Sequence, residues 1–83
     1  MEQAVRTIQQ LGAVVRRERK KKNLTQLDLG EKVHMRQATV SKLEAGEPAT
    51  QLRVLFDVLS ALGLEIAIRP RSRAAAKIEE ITF

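Results

Sequence analysis

The segment MRQATVSKLEAG, Met35–Gly46, gathers side chains that can make hydrogen bonds without bulk. At about 100° per residue, Gln37, Ala38, Ser41, Lys42 and Ala45 share one side of a helix. Val40 and Leu43 share the other, with Met35 leading in. The outer face of a surface helix ordinarily carries long charged residues. This one offers an amide, methyl groups, a hydroxyl and one ammonium, which are the groups that read base edges. Gln37 is suited to bidentate pairing with adenine, and Lys42 to donation to guanine O6 or N7. The Ala38 and Thr39 methyls can pack on the thymine methyl, and Ser41 can bond to either edge. Bulkier charged residues at these positions would hold the helix out of a groove.

A second candidate surface precedes this one. RRERKKK, Arg16–Lys22, holds six cations and one anion, so the whole formal charge of +5 resides there. The remaining residues balance, nine basic against nine acidic. Cations at the end of a helix complement its dipole and are well solvated. Clustered lysine and arginine are also the electrostatic footprint of a polyanion-binding face. Charge alone leaves both readings open.

The spacing predicts four helices to carry these faces. Thr7 followed by Gln10 is a capping-box pattern, and Leu11, Val14 and Val15 recur at helical spacing, giving a first helix over 8–22. Asn23 is a suitable end cap. In LTQLDLGEKV, Thr25 caps a short second helix with Asp28 three residues on, and Leu29 and Val33 face inward. Gly30 inside this helix costs it about 1 kcal/mol relative to alanine. The opening segment is the third helix, stopped by Gly46 and Pro48. Thr50 is expected to cap a fourth, whose Leu52, Leu55, Phe56, Leu59 and Leu62 form the most apolar stripe, ended by Gly63.

The period then changes. LEIAIRP alternates Leu64, Ile66 and Ile68 against Glu65, Ala67 and Arg69, which is strand spacing, and Pro70 closes it. One strand has no ladder partner of its own, so pairing with the same strand of a second subunit is expected. The sequence thus divides into a helical domain over 1–63, a dimerisation strand over 64–70 and a flexible tail over 71–83.

Composition narrows the function classes. At 83 residues the chain has room for one small core, since a domain of this size buries only about 60% of its unfolded surface. It has no cysteine and a single histidine, His34, so neither a disulfide framework nor a thiolate metal site can form. A lone imidazole in a turn reads as structural. No histidine or cysteine is placed to activate a nucleophile, and the carboxylates spread over outer faces and helix caps, so no enzyme, cofactor or small-molecule substrate is expected. No apolar run approaches a membrane span, and a cytoplasmic, nucleoid-associated protein is expected.

Two short helices joined by a tight turn at His34 and Met35 form the arrangement in which the second helix enters the major groove. At this point LTQLDLGEKVHMRQATVSKLEAGEP, Leu24–Pro48, resembles the lambda-repressor-like (Xre) helix-turn-helix family. Thr25, Gln26, Leu29, Val33, Val40, Leu43, Glu44, Gly46 and Pro48 fall on its pattern, as do Leu11, Gly12, Val15, Arg16 and Arg19 in the first helix. The resemblance implies a mainly α fold of four to five helices and an internal ion pair between Arg19 and Glu44. It implies that Gln26 meets a phosphate, and the phosphate-facing set expected with it is Thr25, Gln26, Arg36, Arg19 and Lys22. His34 stands where the family usually has its turn glycine.

A last helix running straight into one alternating strand narrows the resemblance to the HipB-like antitoxins of Hip-type toxin-antitoxin modules, to whose recognition helix RQATVSKLE is similar. That resemblance implies a homodimer joined through Leu64, Ile66 and Ile68, a palindromic double-stranded operator, and a HipA-like serine/threonine kinase toxin as partner. The expected function is a DNA-binding antitoxin that represses its own operon and neutralises that toxin. A stand-alone repressor with no protein partner is the alternative, and the short carboxy-terminal extension favours the antitoxin.

Overall fold

The computed structural model describes residues 2–71. Among these residues four helices follow one another: α1 (Ile8–Lys21), α2 (Gln26–Lys32), α3 (Gln37–Glu44) and α4 (Leu52–Ala61). The core is purely aliphatic. Val15, Leu29, Val40, Leu43, Leu55, Val58, Leu59 and Leu62 are buried, and Leu11, Leu24, Val33, Met35 and Leu64 pack around them.

All four helices end in the same way. The residue after each C-cap is left-handed: Asn23 (φ 57°), His34 (φ 58°), Gly46 (φ 81°) and Gly63 (φ 73°). The next N–H then reaches back across the last turn: Leu24 to the Arg19 carbonyl (3.2 Å), Met35 to Gly30 (2.7 Å), Glu47 to Lys42 (3.0 Å) and Leu64 to Leu59 (2.8 Å). These are Schellman closures, which satisfy carbonyls that a helix end would otherwise leave orphaned. Asn23 therefore ends α1 as its sequence suggests. His34 closes α2 in the same left-handed conformation as Asn23, Gly46 and Gly63 close their helices.

The amino ends show two departures. Thr7 accepts the Gln10 N–H at 3.0 Å, but Gln10 Oε1 accepts from the Arg6 N–H (2.6 Å) rather than from Thr7, so the box is not reciprocal. Thr25 and Asp28 do form a full capping box, with Thr25 Oγ1 accepting from Asp28 and the Asp28 carboxylate accepting from the Thr25 N–H. Thr50 does not cap α4. Its own N–H turns back to the Glu47 carbonyl (3.1 Å), and the cap position passes to Gln51, which makes no side-chain cap bond.

The apolar stripe of α4 is also rotated from its expected centre. Val58 is buried together with Leu55, Leu59 and Leu62, whereas Leu52 and Phe56 are 69% and 52% exposed. At 100° per residue, Leu52 and Phe56 fall on one flank of the buried arc. Beyond Gly63 the chain is irregular, and no strand occurs among the described residues. The expected strand over 64–70 is thus absent among the described residues, which contain no sheet edge for it to pair with. Of the proposed dimer residues, Leu64 packs on the core, while Ile66 and Ile68 point outward. The tail beyond Arg71 lies outside the described residues.

Candidate nucleic-acid interface

The third helix is seated by its inner face. Val40 is fully buried and Leu43 nearly so, which turns Gln37, Ala38, Ser41 and Lys42 outward, all exposed, with Thr39 half-buried at the edge. Arg36 is the N-cap and makes no side-chain cap bond. Arg36, Gln37 and Ala38, which open α3, are all exposed. This arrangement brings together the base-reading set predicted from the sequence.

Two glycines set how closely the neighbours approach. A Cβ on Gly12 would stand 2.4 Å from the Glu44 carbonyl oxygen and 2.7 Å from that of Leu43, so α1 lies directly against the end of α3. A Cβ on Gly30 would stand 2.6 Å from the Met35 carbonyl oxygen. The apparent weak point in α2 is thus what lets the turn close tightly against the helix before it. A lone glycine within a helical pattern is the sequence signal for such a contact.

Close approach of α1 to α3 delivers Arg19 to Glu44. Arg19 Nε and Nη2 donate to the two carboxylate oxygens at 2.6 and 3.0 Å, and Nη1 donates to the Leu24 carbonyl at 2.7 Å. The hydrogen bond to Glu44 raises the guanidinium pKa, against the opposing effect of burial. The predicted ion pair is present. Arg19 is only 7% exposed, however, and its guanidinium is turned inward, so its expected contact with a phosphate does not fit this placement.

Gln26 is the residue whose surroundings the sequence did not disclose. Its Nε2 donates to Glu44 Oε1 at 3.1 Å, and its Oε1 faces Gln37 Nε2 at 3.5 Å, the outer limit of a hydrogen bond. A chain of polar contacts therefore runs from the buried Arg19–Glu44 pair, through the first residue of α2, to the first residue of α3. Glu44 is 18 positions from Gln26, and no local pattern signals such a pairing. On the other side of α3, Thr39 and Lys42 share a groove with Glu47, Thr50 and Gln51, which the sequence reading also left out.

The remaining phosphate candidates occupy the rim. Arg36 and Lys22 are exposed, and Thr25 is exposed although its hydroxyl accepts from Asp28. In the basic cluster Arg16, Arg17, Lys20, Lys21 and Lys22 are all exposed. Glu18 is held below its ordinary pKa chiefly by a hydrogen bond from Lys21, at 3.1 Å.

The short α2, closed turn and outward-facing α3 define a helix-turn-helix, and the helix-turn-helix family matches residues 15–68. The chain belongs to that family, in its Xre-like branch. Among solved structures it is similar to a HipB variant in the HipB–O2 20mer complex, at 28% identity and a TM-score of 0.77 over 83% of this chain and 96% of that one. A chain of the HipA–HipB–O2–O3 complex matches at 28% identity and a TM-score of 0.76, covering 82% and 96%. The HipB–O4 20mer complex gives the same values. No curated protein matches the chain.

Proposed function

We propose that this protein is a HipB-like antitoxin: a sequence-specific DNA-binding protein that represses its own operon as a homodimer and binds and neutralises a HipA-like kinase toxin. The observation that carries the DNA-binding reading is the exposed face of α3, with Gln37 at its amino end and Lys42 five residues on. Gln37, Ala38, Thr39, Ser41 and Lys42 meet base edges, and Thr25, Gln26, Arg36 and Lys22 meet phosphates on either side. Gln26 exchanges its internal contacts for a phosphate when DNA is bound. Likeness to HipB in complexes with O2 and O4 20mers, and to a chain of an assembly that includes HipA, supports both partners. Leu64, Ile66 and Ile68 join the subunits, so that two reading helices sit about 34–36 Å apart on a palindromic operator.

The test compares specific with random DNA, using the promoter fragment upstream of the gene. Gln37→Ala and Lys42→Ala are each expected to cost about 1–3 kcal/mol on the operator and much less on random duplex. Fluorescence anisotropy reads both. Two variants that bind the operator as tightly as the parent would show that α3 is not the reader. Pull-down with the native protein tests the kinase partner separately.

A further inference from the structure

One apolar side chain of the helix-turn-helix is left out of the core. Leu27 is 53% exposed and takes no part in the aliphatic cluster. It is the one large apolar residue exposed between α1 and α4. Single apolar residues are common on protein surfaces, and what distinguishes this one is where α2 puts it.

With Gln26 as the origin and a step of about 100° per residue, Leu29 and Val33 stand at about 300° and 340°, the side of α2 that packs into the core. Gln26 itself and Gly30, at about 40°, face the start of α3. Gln26 Oε1 lies 3.5 Å from Gln37 Nε2, and a Cβ on Gly30 would stand 2.6 Å from the Met35 carbonyl oxygen and 3.5 Å from the Arg36 carbonyl carbon. Leu27 comes next, at about 100°. It precedes Gly30 by three residues, the spacing of neighbours on one helix face, and a helical side chain leans toward the amino end of its own helix. Leu27 therefore occupies the solvent edge of the strip by which the first turn of α2 meets the start of α3. The two carboxylates nearest it along the helix do not share that position. Asp28 is engaged with the Thr25 N–H of the cap at 2.9 Å, and Glu31 lies a full turn further from the amino end.

The strip it borders opens on Thr25, Gln26, Arg36 and Gln37, all polar or charged. An isobutyl group at the edge of such a set suits one feature of the major groove, since the thymine C5-methyl is the apolar group that base edges present there. We propose that Leu27 packs on a thymine methyl of the operator, so that α2 takes part in base selection as well as in phosphate contacts; this rests on the DNA-binding reading of α3 and adds a residue to it. The same side chain works against the other bases. It offers neither donor nor acceptor, so a cytosine N4 or adenine N6 amino group set beneath it would be stripped of water and left unpaired.

Deoxyuracil in place of single thymines of the promoter fragment removes the C5-methyl and nothing else. For the parent protein, replacement of the thymine under Leu27 is expected to weaken binding about fourfold, the worth of one buried methyl. Leu27→Ala is expected to bind the unmodified fragment at least about fourfold more weakly and to be indifferent to that same replacement. It should keep the parent's response to thymines read by Ala38 and Thr39, which serve as internal controls. Its binding to random duplex is expected to change much less and its salt dependence not at all, because no charge is removed. Circular dichroism confirms that the exposed substitution leaves the helices intact. A Leu27→Ala protein with parental operator affinity, or one that stays sensitive to every replacement that weakens the parent, overturns the contact. An equal loss on operator and random duplex overturns it too, since that is the result of packing on the sugar backbone. Gln37→Ala and Lys42→Ala, titrated alongside, separate the two readings. If they weaken operator binding and Leu27→Ala does not, this inference falls alone; if none of the three does, the reading of α3 falls and takes it along.

Discussion

At the scale of single residues, the Arg19–Glu44 pair links the stability of the fold to the position of its reader. Its geometry is bidentate and its side chains are 8% and 3% exposed, so removing one partner leaves a buried charge unmatched. Glu44→Gln is expected to destabilise the protein by about 3–5 kcal/mol in urea unfolding, and to loosen Gln26 and Gln37 with it. Replacing both members by aliphatic residues of similar size is expected to cost less than the single change. A double variant as unstable as the sum of the singles would show that the two charges act independently. Asp28 responds to acid in a different way. The Thr25 N–H it accepts holds its carboxyl below the ordinary value of 3.8, with the Thr25 hydroxyl contributing next. Because the folded value is the lower one, this contribution is fully present above about pH 3.8 and fades as pH falls through the folded value. Asp28→Asn keeps an acceptor but loses the titration, so its Tm is expected to fall less steeply than the parent's on acidification. Parallel curves would remove Asp28 from the acid response.

At the scale of elements, the turn between α2 and α3 sets two substitutions against helix propensity. His34 is left-handed at φ 58°, a conformation that costs a residue with a Cβ roughly 1–2 kcal/mol, partly offset by glycine's greater freedom in the unfolded chain. His34→Gly is expected to stabilise the protein by about 0.5–1 kcal/mol. Gly30→Ala should gain about 1 kcal/mol by propensity alone. With the Met35 carbonyl only 2.6 Å from the new Cβ, it is instead expected to lose about 1–2 kcal/mol, as overpacked sites do. Thermal denaturation gives the sign of each, and a stabilised Gly30→Ala protein would show that the turn can move aside. Here the sequence was most and least informative at once. The helices and their ends were legible because a cap, a left-handed residue and an apolar period are local, as at Thr25, Asn23 and Leu43. The Gly30 contact, the Gln26–Glu44 bond and the exposure of Leu52 and Phe56 depend on where another element lies, and no window of neighbouring residues encodes that. Thr50 failed as a cap because α4 begins one residue later, which puts Gln51 in the cap position.

At the scale of the whole molecule, charge and reading surface belong to different elements, α1 and α3. The basic run occupies the last two turns of α1, and only Asn23 and Leu24 separate it from the Thr25 cap of α2. Arg19, the one cation of the run that is buried, is neutralised by Glu44, so the field toward solvent comes from Arg16, Arg17 and the three lysines, moderated by Glu18. Such a field attracts any duplex, whereas α3 tells one sequence from another. Separation of these two tasks gives a prediction that base-reading variants cannot test. Replacing Lys20, Lys21 and Lys22 together with glutamine is expected to weaken operator and random DNA alike, and to flatten the dependence of log K on log salt by about 0.9 for each phosphate no longer neutralised. Gln37→Ala should leave that slope unchanged, because an uncharged amide releases no counterion. Titrations at several salt concentrations with both duplexes measure the two effects side by side. A triple variant with the parental slope would mean that the three lysines only complete the helix end and take no part in DNA binding, the phosphate contacts then falling to cations such as Arg36 that the variant leaves in place.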